Sequence, residues 1–258
     1  MIDTQNKQQM LAYELIANTN SSFFLTGRAG TGKTTFLRNV QKMVDKQFIT
    51  LAPTGVAAIL VGGDTIHSFF GLPMDVCTPG TMGKMNEARI LTLIHTDTII
   101  IDEVSMVRCD IIDAIDYTMR KTLRSSLPFG GKQMIFVGDM FQLPPVVKQG
   151  AEHDLMRDLY HTEDFFFYKA DVIKRMRMVK IEFQKVYRQE DQDFLRILEN
   201  VRLNKTTPEN LMHLNERVCQ PTKEDGTVIT LASLNRTADD INQKCLAEID
   251  SEEYTYEG

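Results

Sequence analysis

Three absences narrow the class of this chain. No apolar run approaches the roughly 18 residues needed to cross a bilayer, and the opening Met1-Ile2-Asp3-Thr4-Gln5-Asn6-Lys7 carries no signal-peptide pattern. A cytosolic protein without a membrane partner is expected. The four cysteines, Cys77, Cys109, Cys219 and Cys245, make no C-x-x-C and have no paired histidines nearby. Neither a disulfide framework nor a zinc site is indicated, and ordinary thiols are expected. Positive charge is scarce as well: 29 Lys and Arg against 35 Asp and Glu leave a net charge of −6, which argues against a general polyanion binder. Any nucleic-acid footprint has to be local. Two basic clusters are available, Arg120-Lys121-Thr122-Leu123-Arg124 and Lys174-Arg175-Met176-Arg177 with Lys180 beyond it; each reads equally well as a solvated helix face. Apolar residues are plentiful, 43% of 258, enough for a full core in one large or two smaller domains.

The most informative stretch lies at 23–40. Phe23-Phe24-Leu25-Thr26 runs into Gly27-Arg28-Ala29-Gly30-Thr31-Gly32-Lys33-Thr34-Thr35 and then Phe36-Leu37-Arg38-Asn39-Val40, the order strand, phosphate-binding loop, helix. Glycines let successive backbone N–H groups point inward around a triphosphate, and the helix adds its positive dipole end. Lys33 places a charge on the β- and γ-phosphates, and the Thr34 hydroxyl offers a hard oxygen to Mg²⁺. Average composition yields a chance G-x-x-x-x-G-K-[ST] in roughly one chain in a hundred of this length.

The remaining pattern alternates strand and helix. Thr4 or Asp3 is expected to cap a first helix with Leu11, Leu15 and Ile16 on one side. Strands are expected at 48–52, 98–101 and 134–137, with a weaker one at 179–183, all short and apolar as strands buried on both faces should be. Helical patterns fill 104–123 and 155–160. The fold class is therefore α/β, a P-loop nucleotide-binding parallel sheet with helices on both faces and its chemistry at the carboxyl ends of the strands. Two of those ends carry suitable groups. Asp102-Glu103 follows the 98–101 run, the first carboxylate placed to hold the Mg²⁺ shell and the second to orient or deprotonate water. Gly138-Asp139-Met140-Phe141-Gln142-Leu143-Pro144-Pro145 follows the next run, and Gln142 can bond both a γ-phosphate and a neighbouring loop; a Pro-rich turn is the plainer alternative.

Taken together, 27–35, Leu51-Ala52-Pro53-Thr54-Gly55-Val56-Ala57-Ala58, Thr65-Ile66-His67-Ser68-Phe69, Ile101-Asp102-Glu103-Val104-Ser105-Met106, 138–145 and Val186-Tyr187-Arg188-Gln189 resemble, in order, the motifs of the Pif/RecD helicases, the 5′-to-3′ branch of superfamily one. The resemblance covers nearly the whole chain. It implies a RecA-like lobe over 1–179 with a short insertion around 72–87, and at 180–258 a linker and the incomplete start of a second such lobe. It implies ATP and Mg²⁺ as cofactors, with Lys33, Glu103, Gln142 and Arg188 catalytic. Gln9, Gly27, Ala29, Gly30, Thr31, Gly32, Lys33, Thr34, Thr35 and Tyr187 are expected at the nucleotide, and Thr34 and Asp102 at the metal. Gln9 matches the glutamine that reads adenine, with Gln8 one residue away as the alternative, and Arg188 the arginine that reaches the γ-phosphate.

The same resemblance puts Pro53, Thr54, Gly55, His67, Ser68 and Phe69 on single-stranded DNA, where hydroxyls and backbone N–H groups hold phosphates and aromatic faces stack bases; Phe69 reads equally as core. It gives 110–116 a packing role, and 72–87 either a part in separating a forked duplex or a disordered surface loop. Helices are expected near 193–203 and 208–218, a turn at 223–226, a strand at 228–232 and a helix opened by Asn235. Because the later helicase motifs and an SH3-like insertion are absent, the sequence is expected to be a fragment with little unwinding of its own. The implied protein is a monomer engaged in DNA repair, recombination or replication. It would be cytoplasmic and nucleoid-associated in a bacterium, nuclear or mitochondrial in a eukaryote. An AAA-type ring ATPase, a non-catalytic DNA-binding module and a P-loop kinase are the alternatives. Gln142 and Arg188 disfavour the first, the intact acidic pair the second, and the lack of a lid or acceptor pocket the third.

Overall fold

In the computed structural model, residues 2–81, 83–187, 191–216, 218, 229–251 and 254 are described. The chain alternates as its apolar pattern dictates: α1 (Lys7–Asn18), β1 (Phe23–Gly27), α2 (Lys33–Met43), β2 (Phe48–Ala52), α3 (Gly55–Val61), β3 (Asp64–Thr65), α4 (Ile66–Phe70), α5 (Glu87–His95), β4 (Thr98–Ile101), α6 (Cys109–Leu123), β5 (Gln133–Val137), α7 (Ala151–Tyr160), α8 (Asp171–Arg175), β6 (Val179–Phe183), α9 (Gln192–Arg202), α10 (Pro208–Asn215) and α11 (Asn235–Ala247). The strands form one six-stranded sheet in the order β3-β2-β4-β5-β1-β6, and every neighbouring pair is parallel. All carboxyl ends therefore share one edge.

Alternation along the strands splits the apolar side chains between two cores. Phe24, Ile99, Ile101, Met134 and Phe136 face one way and pack with residues of α4, α5, α6, α7 and α8. Phe23, Leu25, Ile100, Ile135 and Val137 face the other, against Ala12 and Ile16 of α1 and Phe36, Leu37 and Val40 of α2. Helices thus cover both faces, as parallel strands require. No helix among the described residues is long and apolar enough to cross a membrane.

Several local expectations are corrected. The cap of α1 is Asn6, whose Oδ1 accepts the N–H groups of Gln8 and Gln9 at 3.1 and 3.2 Å; the Asp3 carboxylate is taken by Lys185 and Tyr187 instead. The buried face of that helix is Gln9, Ala12 and Ile16, while Leu11 is exposed. The helical pattern at 104–123 breaks into a single 3₁₀ turn and α6, because Arg108 is extended and bridges Phe166. Segment 72–87 is anchored rather than a free surface loop: Leu72, Val76 and Cys77 are in the core. Ile229 to Ala232 form no strand; Val228, the turn at 223–226, Cys219 and Arg188 lie outside the described residues. Asn235 is the first residue of α11, and the cap position belongs to Leu234.

Two compact units result, Met1–Thr206 and Thr207–Gly258. The first runs past residue 179, because β6 pairs with β1 along its whole length and Arg202 of α9 bonds Asp139 after β5.

A row of aspartates on α6 fastens the loops around it. Asp110 accepts the Cys77 N–H at 2.8 Å and both Nε and Nη2 of Arg108 at 2.9 Å. Asp113 accepts the N–H groups of Asp171 and Val172 and the Tyr160 hydroxyl. Asp116 accepts the Phe129 N–H at 2.7 Å and pairs with Arg120 and Arg175. Spacing of three residues puts all three on one helix face, so the packing role expected of 110–116 has a definite chemical form. Arg120 and Arg175 of the two basic clusters meet on Asp116, and Lys174 pairs with Asp171 and Lys180 with Glu182. Asp110→Ala would strand the buried Arg108 guanidinium with a single carboxylate partner, Glu152. We expect a loss of about 3 kcal/mol, read from chemical denaturation of the first unit.

Candidate functional site

Six strand ends on one edge bring together segments that are far apart in sequence. The loop after β1 is shaped by its glycines. Gly27 has φ 145°, and a Cβ there would lie 2.4 Å from the Phe183 carbonyl oxygen of β6. Gly32 caps α2 in the left-handed region, φ 80°, with no side-chain cap, so the first-turn N–H groups of that helix are left for a ligand. The Lys33 ammonium donates to the Gly27 and Arg28 carbonyl oxygens at 2.6 and 3.2 Å.

A cleft of about 220 Å³ opens over this loop, lined by residues 29 to 35, by Asp102 and Glu103 after β4, and by Gly138, Asp139 and Gln142 after β5. Asp102 is buried; it accepts the Glu103 N–H at 2.9 Å and lines the cleft with Thr34. Burial pushes its carboxyl above the ordinary range, against the pull of Lys33 and Thr34. Glu103 is also raised, by burial and by the neighbouring Asp102 and Asp139 charges. Its backbone sits at φ 51°, a conformation costly for a non-glycine residue and typical of sites where direction matters. Burial lowers the Lys33 ammonium, while Asp139, Glu103 and Asp102 oppose that shift.

A second recess of about 190 Å³ shares Gly32 and Thr35 with the first and adds Asp3, Gln9, Phe36, Asn39 and Tyr187. Gln9, not Gln8, lines it. The Gln9 Oε1 accepts the Asp3 N–H at 3.0 Å and its Nε2 donates to the Tyr187 hydroxyl at 3.4 Å. That hydroxyl donates to Asp3 Oδ2 at 2.7 Å, and the Tyr187 N–H donates to the Gly30 carbonyl at 2.8 Å. Arg188, the next residue, is outside the described residues.

The other end of the same edge carries the segments after β2 and β3. Thr54 Oγ1 accepts the Ala57 N–H at 3.3 Å, capping α3, and Pro53, Thr54 and Gly55 retain solvent exposure. His67 and Ser68 begin α4 beside them; Ser68 Oγ accepts from Arg89 Nη2 at 2.9 Å. Burial and the Arg108 charge lower the His67 imidazole. Phe69 is a correction: it is 3% exposed and edge-on to Phe70 at 5.0 Å, so it belongs to the core and offers no face to a base.

Sequence reasoning overlooked Asp3, Asn6 and the pair Asp139–Arg202. Asp139 stood in the Gly138-Asp139 motif without a role. Arg202 gave no local signal, since it ends α9 and its partner follows β5.

A family profile described as "PIF1-like helicase" matches residues 4–211. The chain is 31% identical over 267 residues to the rat protein named ATP-dependent DNA helicase PIF1, an alignment covering 98% of this chain and 38% of the rat protein. A solved Bacteroides Pif1 bound to ssDNA superposes with a TM-score of 0.89 at 38% identity, over 96% of this chain and 57% of that one. The Bacteroides Pif1 helicase in complex with ADP-AlF3 and ssDNA also scores 0.89, at 36% identity, over 98% and 58%. At this likeness the sheet is the RecA-like P-loop fold of those proteins. The chain spans well under two thirds of each one's length.

The recess makes a measurable claim. Hydrogen bonds from Lys185 and Tyr187 hold the Asp3 carboxyl at about 2. Lys185→Ala should move it up toward the unperturbed value near ~3.9, and Tyr187→Phe should do so by less; an NMR titration of the Asp3 side chain reads both.

Proposed function

Because this chain belongs to the PIF1-like helicase family, we propose that it works as an ATP-dependent DNA helicase, a hydrolase that couples ATP turnover to 5′-to-3′ movement on single-stranded DNA. One observation carries the reading: Lys33, Thr34, Asp102, Glu103 and Gln142, from three strand ends, line a single cleft. In this proposal the α2 N-terminus and the loop N–H groups bind the phosphates. Lys33 leaves the Gly27 and Arg28 carbonyls for the β- and γ-phosphates. Glu103, a base strengthened by burial, orients and deprotonates the attacking water. Gln142 bonds the terminal phosphate, Gln9 reads the adenine edge in the recess beside Tyr187, and Arg188 meets the γ-phosphate.

The donor set suits a hard cation. The hydroxyl of Thr34 and the carboxylate of Asp102, which line the same cleft, would hold Mg²⁺ together with phosphate oxygens, as that ion prefers. Bound there, it would neutralise phosphate charge.

Pro53, Thr54, Gly55, His67 and Ser68 are proposed to grip the strand through backbone and hydroxyl groups without reading sequence. Segment 72–87, anchored in the core and with Met74 exposed, is proposed to meet the fork of a duplex. A working monomer is part of the proposal.

Lys33→Ala should abolish ATP binding by equilibrium titration. Glu103→Gln should keep binding and slow turnover by about 10²–10⁴-fold; normal hydrolysis by that variant would remove Glu103 from its role. Thr54→Ala and His67→Ala should weaken single-strand affinity in fluorescence anisotropy at fixed salt, leaving nucleotide affinity within about twofold; equal loss of both would move the strand elsewhere.

A further inference from the structure

Asp139 presents a difficulty for the cleft it lines. Its carboxylate is 1% exposed, sits among the lining residues with Lys33 and Gln142, and would face the polyanionic end of a triphosphate. Its Oδ2 already accepts a long hydrogen bond from the Gln142 Nε2 at 3.5 Å, and without a cation of its own it would have a stronger target in the Lys33 ammonium, whose charge it already feels. An ion pair with Lys33, or a tighter bond to Gln142, would remove a group needed by the terminal phosphate.

Arg202 competes for the same carboxylate. Its Nη2 donates to Asp139 Oδ1 at 2.9 Å and its Nε to Oδ2 at 3.0 Å, the forked geometry that only a guanidinium supplies. The guanidinium carbon lies 4.3 Å from the centroid of the Phe141 ring, a cation–π contact with the same loop. Its Nη1 pairs with Glu199 at 3.2 Å, and Glu199 in turn faces Arg28 of the phosphate loop at 3.5 Å. Four charges therefore run from the phosphate loop through α9 to the loop after β5, in alternating sign. The Asp139 backbone is fixed within that loop, its carbonyl accepting the Gln142 N–H at 2.9 Å.

We propose that Arg202 is a positioning residue for triphosphate recognition: by claiming both oxygens of Asp139 it holds that carboxylate off Lys33 and leaves the Gln142 amide only a long, 3.5 Å hydrogen bond to it, so that both remain available to the γ-phosphate. The inference rests on reading the cleft as the ATP site. It goes beyond that reading in assigning α9 a part in telling ATP from ADP. A diphosphate needs neither the Gln142 amide nor the full Lys33 charge, so its affinity should be nearly indifferent to Arg202.

Equilibrium binding of ADP and of a non-hydrolysable ATP analogue, each with magnesium, tests this on the whole chain. Arg202→Gln should lose tenfold or more in analogue affinity and less than about threefold in ADP affinity. Adding Asp139→Asn to it should restore most of the analogue affinity, because the stray charge is gone. Arg202→Lys, which keeps the charge without the fork, should fall between the parent and Arg202→Gln. Equal losses for both nucleotides, or no recovery in the double variant, would overturn the proposal. Should Arg202→Gln fail to fold, Asp139→Asn alone decides: it breaks the same clamp without freeing a carboxylate. A loss of selectivity beyond threefold in that variant would overturn the inference. Absence of ADP binding to the parent chain would instead refute the ATP-site reading, so the two failures are distinguishable.

Discussion

One half-desolvated ammonium organises the edge on which everything else depends. Lys33 lies at the start of α2 and faces Asp102, Glu103 and Asp139 from the ends of two other strands. With Arg202 on Asp139, two cations stand against three carboxylates, a small negative excess that a divalent ion held by Thr34 and Asp102 would offset. Such an arrangement demands strand ends held to fractions of an ångström, and backbone bonds beyond the ladder hold them. The Asp102 N–H donates to the Leu51 carbonyl and the Gly138 N–H to the Leu25 carbonyl. The carboxylate strand is thereby tied to the strand that leads into Pro53 and Thr54, and the loop after β5 to the strand that leads into the phosphate loop.

Features set by short-range chemistry were legible in the sequence. Glycine spacing, the apolar β-branched runs and the acidic pair each act within a few residues, and each announces a strand end. The two-residue β3 is too short to leave a period, and it exists because Leu51 and Ala52 offer it a ladder. Asn6 replaced Asp3 as the cap of α1 for a tertiary reason, since the Asp3 carboxylate is claimed by residues far along the chain. Leu11 looked like core and is not, because α1 turns Gln9 inward to the recess.

Polar residues in buried positions were the hardest to read. Asp110, Asp113 and Asp116 have the composition of a wet surface and the spacing of a single helix face; only the loops around them show why Asp110 and Asp116 are buried and Asp113 half-buried. Phe69 illustrates the reverse, an aromatic in a segment expected to touch DNA that is consumed by packing against Phe70. The clamp of Arg202 on Asp139 joins positions with |i−j| of 63, and no window of local pattern contains both.

Gly27 carries a lesson for anyone scanning this loop by mutagenesis. Its missing side chain is demanded by the Phe183 carbonyl 2.4 Å from where a Cβ would stand, not by any phosphate. An inert Gly27 variant would therefore report a wedge driven between two neighbouring strands and would carry no information about nucleotide chemistry. Only substitutions farther along the loop interrogate the cradle itself.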